Sequence, residues 1–538
     1  MPSFEPMLEV TLKNYPKKNA AHVSYGTAGF RMKWDDSLDY IVYRVGILAA
    51  LRSQDKTAVI GVMITASHNP ISDNGVKIVD PYGEMLEAHW EKFANKIINC
   101  SDEELAGVIQ SIINESNINS SQTPQVYVGM DTRPSSKRLS AACLAGVETM
   151  GGKVADFGFV TTPQLHYMVW SYNSKSTHQP TMEGYYRKIS DSFKRFLKLC
   201  KHTQSISAPV TIDGANGIGA LKAGELQTYL GDSLSLKVVF DGTAGVLNDQ
   251  CGADYVKSKQ TSPVGLDTLA GERYASVDGD ADRVVYYYKS KDDVFHLLDG
   301  DKLAILMTSY LKRLLNTSKM SDALALGLVQ TAYANGASTD YITQQLDVPV
   351  ACTKTGVKHL HHAALDYDIG VYFEANGHGT IVFSKSANNL IAEAASRADA
   401  STEEGVAVLK LHALSEIINQ VVGDALSDIV VIEAILADEN MSMEDWDKQY
   451  TDLPNVLTTV KVEDRSVIQT TNAERTVTNP EGLQAAIDNL VAQVSRGRSF
   501  VRPSGTENIV RVYAEAGTKD EANKLATGVV SLVKEMCN

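Results

Sequence analysis

Residues Ala58–Pro70, AVIGVMITASHNP, set an apolar run directly against a polar loop. Ala58–Ala66 reads as a buried strand, and Thr65-Ala66-Ser67-His68-Asn69-Pro70 as the loop at its carboxyl end. In open α/β sheets that end of a strand is where ligands bind. The same arrangement returns along the chain. Gln125–Gly129 leads into a helix over Lys137–Met150, closed by Gly151-Gly152. Pro209–Asp213 enters the glycine-rich Gly214–Gly219, Tyr274–Asp278 runs into an acidic loop, and Ile369–Phe373 runs into Glu374. Short apolar runs alternating with helical patterns predict α/β layering rather than a bundle or a sandwich. From about Ser427 the strands are fewer and further apart, with Leu457–Val462 and Ile509–Glu515 between helices at Pro480–Val494 and Lys519–Met536, which predicts an α+β unit. The polar stretch Ser171–Gly184 reads as a surface connection.

A chain of 538 residues is too long for one domain; at about 100–200 residues per domain it should hold three or four. Its 50 Lys+Arg against 65 Asp+Glu give a net charge of −15. A surface this acidic disfavours broad contact with nucleic acid or an anionic membrane, so any phosphate must be held locally by a few arranged groups. The six cysteines, at 100, 143, 200, 251, 352 and 537, form no CxxC pair. With no apolar leader in Met1–Ala20 and no long apolar span, they predict a reducing, cytoplasmic setting.

Four loops carry candidate chemistry. Ser67 is a candidate nucleophile or phosphoryl carrier, although an ordinary capped turn would read equally well there. His68 by itself reads as a structural hydrogen-bonding residue. Asp278-Gly279-Asp280-Ala281-Asp282-Arg283 places three carboxylates at alternate positions, able to converge on a hard divalent cation. An EF-hand loop is excluded, because its sixth and twelfth positions would be Arg283 and Lys289. Without a cation the three acids would repel one another, so a metal is expected, with Mg²⁺ as its natural identity. Glu374-Ala375-Asn376-Gly377-His378-Gly379 suits recognition of hydroxyls on a small polar ligand, or is a plain Asn-Gly hairpin turn. Lys354-Thr355-Gly356-Val357-Lys358 reads as a basic loop beside it. In Arg502-Pro503-Ser504-Gly505-Thr506, followed by Arg511, two guanidinium groups, two hydroxyls and backbone N–H groups can surround a dianion.

Together these motifs resemble the α-D-phosphohexomutases, from Gly26-Thr27-Ala28-Gly29-Phe30-Arg31 to Arg511. The resemblance implies a phosphoserine at Ser67, which also ligates the metal, and one Mg²⁺ per chain on Asp278, Asp280 and Asp282. It implies sugar recognition by Glu374, a phosphate clamp of Arg502, Ser504, Gly505, Thr506 and Arg511, and Arg31 facing the site. Thr355, Gly356, Asn376, Gly377 and His378 are expected to line the sugar. The hydroxyl proton would pass to Lys358 or His68. Two departures from the family pattern are informative. The sugar loop lacks Glu-x-Ser-Gly, and Gly129-Met130-Asp131-Thr132-Arg133 with Thr161-Thr162-Pro163 follows the serine loop instead of preceding it. Both resemble the eukaryotic branch of the family with a circularly permuted first domain. That branch interconverts N-acetylglucosamine 6- and 1-phosphates through a sugar 1,6-bisphosphate. The expected architecture is four domains, three mixed α/β and a C-terminal α+β. They are a phosphoserine domain over 1–184, a metal domain over 185–298, a sugar domain over 299–426 and a phosphate domain over 427–538. The expected partner is a small phosphosugar. A sister mutase acting on glucosamine, mannose or glucose phosphates would share these residues. A serine-dependent metallophosphatase would have no use for the second phosphate site.

Overall fold

The computed structural model describes all residues except 1–3, 19–20, 27–28, 34–36, 202–207, 505–507 and 538. The chain divides into two compact units, residues 1–297 with 413–440, and residues 298–412 with 441–538. The first unit holds two five-stranded sheets. One runs Phe30–Lys33, Asp73–Val79, Val59–Ile64, Gln125–Met130, Lys153–Phe159; the other runs Phe295–Leu298, Val284–Lys289, Arg273–Val277, Val210–Asp213, Leu236–Val239. The second unit holds a four-stranded sheet in the order Val350–Thr353, Leu326–Thr331, Ile369–Phe373, Gly379–Phe383. It also holds an antiparallel sheet of Asn455–Lys461, Ile509–Glu515 and Arg498–Pro503, and a hairpin of Gln469–Thr471 with Thr476–Asn479. The fold is thus three mixed α/β sheets and one α+β part.

The three mixed sheets share one plan. In each, three parallel strands lie side by side, and the innermost turns back through a short loop into an antiparallel partner. In the second and third sheets the chain visits the middle strand, then the outer, then the inner, then the returning strand. In the first sheet it makes the inner strand and its return, Val59–Ile64 and Asp73–Val79, before the middle and outer strands, Gln125–Met130 and Lys153–Phe159. The neighbours are the same and the order is rotated. That is the circular permutation expected from the sequence.

The inner strands are apolar along their whole length because both faces are covered; Val59–Ile64 and Ile369–Phe373 are buried at every position. Between the three parallel strands and their returns lie the loops of Ser67, of Asp278–Arg283 and of Glu374–His378. The sheet plan therefore presents the three sequence motifs at equivalent places.

Some expectations are corrected. Ser171–Gly184 is not one connection: 171–174 complete the helix Thr162–Ser174 and 182–184 begin the helix Met182–Leu197. The first of these helices is closed by Lys175 at φ 53°, and the second is capped by the Thr181 hydroxyl. Lys358 does not lie on a loop but in the first turn of the helix Val357–Ala364. Arg498–Pro503 is a strand that the sequence reading passed over. The division at 426/427 falls inside the helix Ala425–Glu439, which packs on Met182–Leu197 in the first unit. Its residues Ala425–Ala437 are buried on every side, a mostly apolar stretch that also takes Asp428 and Glu433 inside. Among the described residues no helix is long and apolar enough to cross a membrane, and no two cysteines form a disulfide.

Candidate functional site

Ser67 sits at the turn after Val59–Ile64 with φ 51°, a left-handed conformation that a non-glycine residue adopts only when its surroundings hold it there. Those surroundings are visible. Its N–H donates to Thr65 Oγ1 at 3.0 Å, and Thr65 Oγ1 donates to Asp131 Oδ2 at 2.8 Å. Its carbonyl accepts from Arg133 Nη2 at 2.9 Å and from Asn248 Nδ2 at 2.8 Å. The same Arg133 pairs with Asp131 and reaches the carbonyls of Asn69, Pro70 and Asp73. The Ser67 hydroxyl is then aimed at one place: Oγ donates to Asp278 Oδ2 at 2.7 Å.

Asp278, Asp280 and Asp282 are all buried, and one ligand oxygen from each lies within 4.8 Å of the others. Ala281 at φ 57° bends the loop, and the N–H groups of Asp282 and Arg283 donate to Asp278 Oδ1. Gly279 permits close approach to the serine, since a Cβ there would lie 2.6 Å from the Ser67 carbonyl oxygen. Burial, then the charges of Asp282 and Asp280, push the Asp278 carboxyl well above the ordinary value. Asp280 Oδ1 is buried with no hydrogen-bond partner among the described residues. A cluster of three carboxylates with an orphaned oxygen is what a hard cation completes, so the residues present fit a divalent ion.

Cationic groups stand around the cluster. Lys77 Nζ lies 3.3 Å from Asp280 Oδ2 and 3.6 Å from Asp282 Oδ2, and Arg283 Nε lies 3.8 Å from Asp278 Oδ2. Arg31 Nη1 donates to Asn69 Oδ1 at 2.8 Å, and its Nε is buried with no hydrogen-bond partner among the described residues. Thr27 and Ala28 of the same motif lie outside the described residues. An orphaned cationic N–H and an orphaned carboxylate oxygen in one place suit a metal-bound anion. Burial, with Arg283 and Arg31 nearby, pushes the His68 imidazole down to about 2. Lys77 and Thr162, whose hydroxyl donates to Asp280 Oδ2 at 2.6 Å, were not singled out from the sequence. Lys77 could have been found by its place on the strand returning from the serine loop.

In the second unit Glu374 opens the hairpin loop between Ile369–Phe373 and Gly379–Phe383. The Asn-Gly turn is real, with Gly377 at φ 87°, and it also orders polar groups. Glu374 Oε2 accepts from Asn376 Nδ2 at 3.2 Å, and Asn376 Oδ1 accepts from the His378 N–H at 3.0 Å. The Gly356 N–H reaches Glu374 Oε1 at 3.1 Å. Thr355 donates through both N–H and hydroxyl to Glu474 Oε2, at 2.9 and 2.7 Å. Arg502 Nε donates to Glu474 Oε1 at 2.9 Å. Arg502 and Arg511 are direct cross-strand partners, and the Ser504 N–H closes the strand end on the Ile509 carbonyl. Gly505 and Thr506 lie outside the described residues.

With this geometry in view, comparison with known proteins is specific. Family models described as phosphoacetylglucosamine mutase domains II and III match residues 176–285 and 299–441. Models of the phosphoglucomutase/phosphomannomutase α/β/α domain I and C-terminal domain match 47–105 with 96–177, and 457–532. The chain is 49% identical to the phosphoacetylglucosamine mutase of Sus scrofa over 95% of this chain and 94% of that one. It is 48% identical to the Homo sapiens enzyme, with the same coverage. Among solved structures, the Aspergillus fumigatus N-acetylphosphoglucosamine mutase in complex with GlcNAc-6P and magnesium matches at 44% identity and TM-score 0.94, over the full length of both chains.

Proposed function

This chain belongs to the phosphoacetylglucosamine mutase family of the α-D-phosphohexomutases, and from that premise we propose that it interconverts N-acetylglucosamine 6-phosphate and N-acetylglucosamine 1-phosphate on the route to UDP-N-acetylglucosamine. It is an isomerase that acts by intramolecular phosphoryl transfer through a sugar 1,6-bisphosphate. The observation that carries the reading is the hydroxyl of Ser67, held at 2.7 Å from Asp278 in a buried cluster of three aspartates.

The reaction runs in two transfers. In the first, the bond from phosphorus to Ser67 Oγ breaks as a bond to the free sugar hydroxyl oxygen forms, and that hydroxyl gives up its proton. The bisphosphate then turns over, the bond from its other phosphorus to the sugar oxygen breaks as a bond to Ser67 Oγ forms, and the freed sugar oxygen takes up a proton. The serine ends as it began, and the phosphate has changed position. Ser67, Asp278, Asp280 and Asp282 would hold one Mg²⁺, which neutralises charge on the transferring group.

The remaining roles fall to this chain's own side chains. Arg31 supplies a guanidinium for the phosphoryl oxygens, and its unpartnered Nε supports that assignment. Burial, with Arg283 and Arg31 nearby, opposes a positive charge on His68, so His68 is assigned an orienting role and Lys358 is kept as the candidate for the hydroxyl proton. Glu374 binds ring hydroxyls in both sugar orientations, with Thr355, Gly356 and Gly377 beside it. Asn376 and His378 read the acetamido group. Arg502, Ser504, Gly505, Thr506 and Arg511 hold the ester phosphate. These loops fall one to each of four functional parts, which we divide at about 184, at about 298 and after the helix Ala425–Glu439. A cytosolic setting, with neither nucleic acid nor membrane as partner, is supported by the chain's net charge of −15 and by six cysteines scattered without a CxxC pair.

A panel of hexose phosphates tests the reading. Turnover of N-acetylglucosamine 6-phosphate should exceed that of glucose, mannose and glucosamine 6-phosphates. Faster turnover of glucose 6-phosphate would contradict the specificity.

A further inference from the structure

Glu474 lies in no motif discussed above, yet its carboxylate joins two of them. It sits at the tip of the hairpin Gln469–Thr471/Thr476–Asn479, third of three successive residues with positive φ: Asn472 at 52°, Ala473 at 55° and Glu474 at 68°. L-residues seldom adopt that conformation in succession. The turn delivers the carboxylate to a half-buried place where both oxygens are used. Oε1 takes the Arg502 Nε at 2.9 Å, while Oε2 takes the Thr355 N–H at 2.9 Å and the Thr355 hydroxyl at 2.7 Å. Burial alone would raise the carboxyl, but the Thr355 hydrogen bonds and the Arg502 charge outweigh it and hold it below the ordinary value. It therefore stays ionised.

Thr355 is followed by Gly356, whose N–H meets Glu374 at 3.1 Å. A continuous path thus runs from Glu374 through Gly356, Thr355 and Glu474 to Arg502. Arg502 in turn has Arg511 directly opposite, so the Glu474 charge offsets part of a like-charge pair. By occupying the Nε edge of Arg502, the carboxylate fixes the plane of the guanidinium, and its planar fork is what lets arginine address a phosphate through two N–H groups.

We propose that Glu474 is a positioning residue that couples sugar recognition to phosphate recognition, aiming Arg502 at the ester phosphate while fixing the Thr355–Gly356 backbone against Glu374. The inference rests on the reading of Glu374 and Arg502 given above. Its consequence concerns the intermediate. A 1,6-bisphosphate that must turn over without escaping needs its sugar and phosphate contacts to hold together, and Glu474 links them.

The test compares Glu474→Gln, Glu474→Asp, Arg502→Ala and the double variant Glu474→Gln/Arg502→Ala in the full chain. Each is assayed with N-acetylglucosamine 6-phosphate and with increasing glucose 1,6-bisphosphate. Glu474→Gln should raise KM about tenfold, with a smaller change in kcat, and should increase the bisphosphate concentration needed for full activity. Glu474→Asp, which keeps the charge, should recover part of both losses, and it supplies the readout if the amide variant does not fold. On the Arg502→Ala background Glu474→Gln should add little, because both act through one contact. Wild-type KM and bisphosphate requirement in Glu474→Gln, or in Glu474→Asp if the amide variant does not fold, would overturn the inference, as would fully additive losses in the double variant. Arg502→Ala with unchanged KM would instead overturn the phosphate-site reading on which it rests.

Discussion

Arg502 and Arg511 stand directly opposite each other across the antiparallel strands Arg498–Pro503 and Ile509–Glu515. Facing like charges disfavour the sheet by a few tenths to about 1 kcal/mol. Such a pair makes sense where a dianion is to be bound. The strand register sets two guanidinium groups side by side, which supports the local phosphate site proposed for a chain whose net charge is −15.

The two effects of Arg511 should separate. Arg511→Gln is expected to leave unfolding stability unchanged or raise it by about 0.2–1 kcal/mol. KM for the sugar phosphate should rise roughly tenfold or more, for loss of a charge-assisted hydrogen bond. Urea denaturation and steady-state kinetics on the same preparation measure both. A variant that loses stability but keeps its KM would show a structural arginine.

The aspartate cluster gives a prediction about pH and metal together. Burial and then Asp282 and Asp280 raise Asp278 when no cation is present. A carboxyl raised by folding favours the folded state fully below its ordinary value of 3.8, and that contribution is lost as pH rises through the raised value. In EDTA the urea midpoint should therefore fall as pH climbs from the acid range toward neutrality. Mg²⁺ should remove that fall and, at a hundred times its dissociation constant, add about 2.7 kcal/mol. Midpoints that ignore Mg²⁺ at neutral pH would count against the cluster as a metal site.

Arg133 holds the serine loop by its backbone. Its side chain is fully buried, pairs with Asp131 and donates to four carbonyls between Ser67 and Asp73. Arg133→Met should cost about 3–5 kcal/mol, because Asp131 is left buried without its cation. Turnover should fall as well, since Ser67 is no longer pinned at its positive φ. Thermal unfolding and kcat measured below the new midpoint separate the two losses.

Asn376 is expected to govern sugar choice. Asn376→Ala removes an amide that bridges Glu374 and the His378 N–H. The kcat/KM preference for N-acetylglucosamine phosphate over glucose phosphate should narrow about tenfold, within the range a lost polar contact commonly sets. An unchanged ratio with an equal loss on both sugars would make Asn376 a support for the loop alone.

Much of this was legible in the sequence because the chemistry lies in contiguous loops that end apolar strands. Ser67, the alternating aspartates and Glu374 could each be found from a strand that stops and a polar turn that follows. The rotated order of the Gly129–Arg133 and Ser67 segments gave the permutation, which the strand neighbours bear out. What escaped depends on contacts distant in sequence. Lys77 meets Asp280 from 203 positions away, and Thr162 from 118. Glu474 is an ordinary charged residue in a turn until folding puts Thr355 and Arg502 on either side of it. The helix Ala425–Glu439 joins the first unit although it follows the sugar loop, and composition carries no sign of which neighbour a buried helix will choose.

The central claim is that Ser67 carries the phosphoryl group. Mass spectrometry of the Ser67 peptide from enzyme incubated with Mg²⁺ and glucose 1,6-bisphosphate tests it most directly, with Ser67→Ala assayed alongside. The account predicts one phosphate on Ser67, discharged when N-acetylglucosamine 6-phosphate is added, and no turnover by the alanine variant. An unmodified Ser67 peptide, together with wild-type activity in Ser67→Ala, would contradict it.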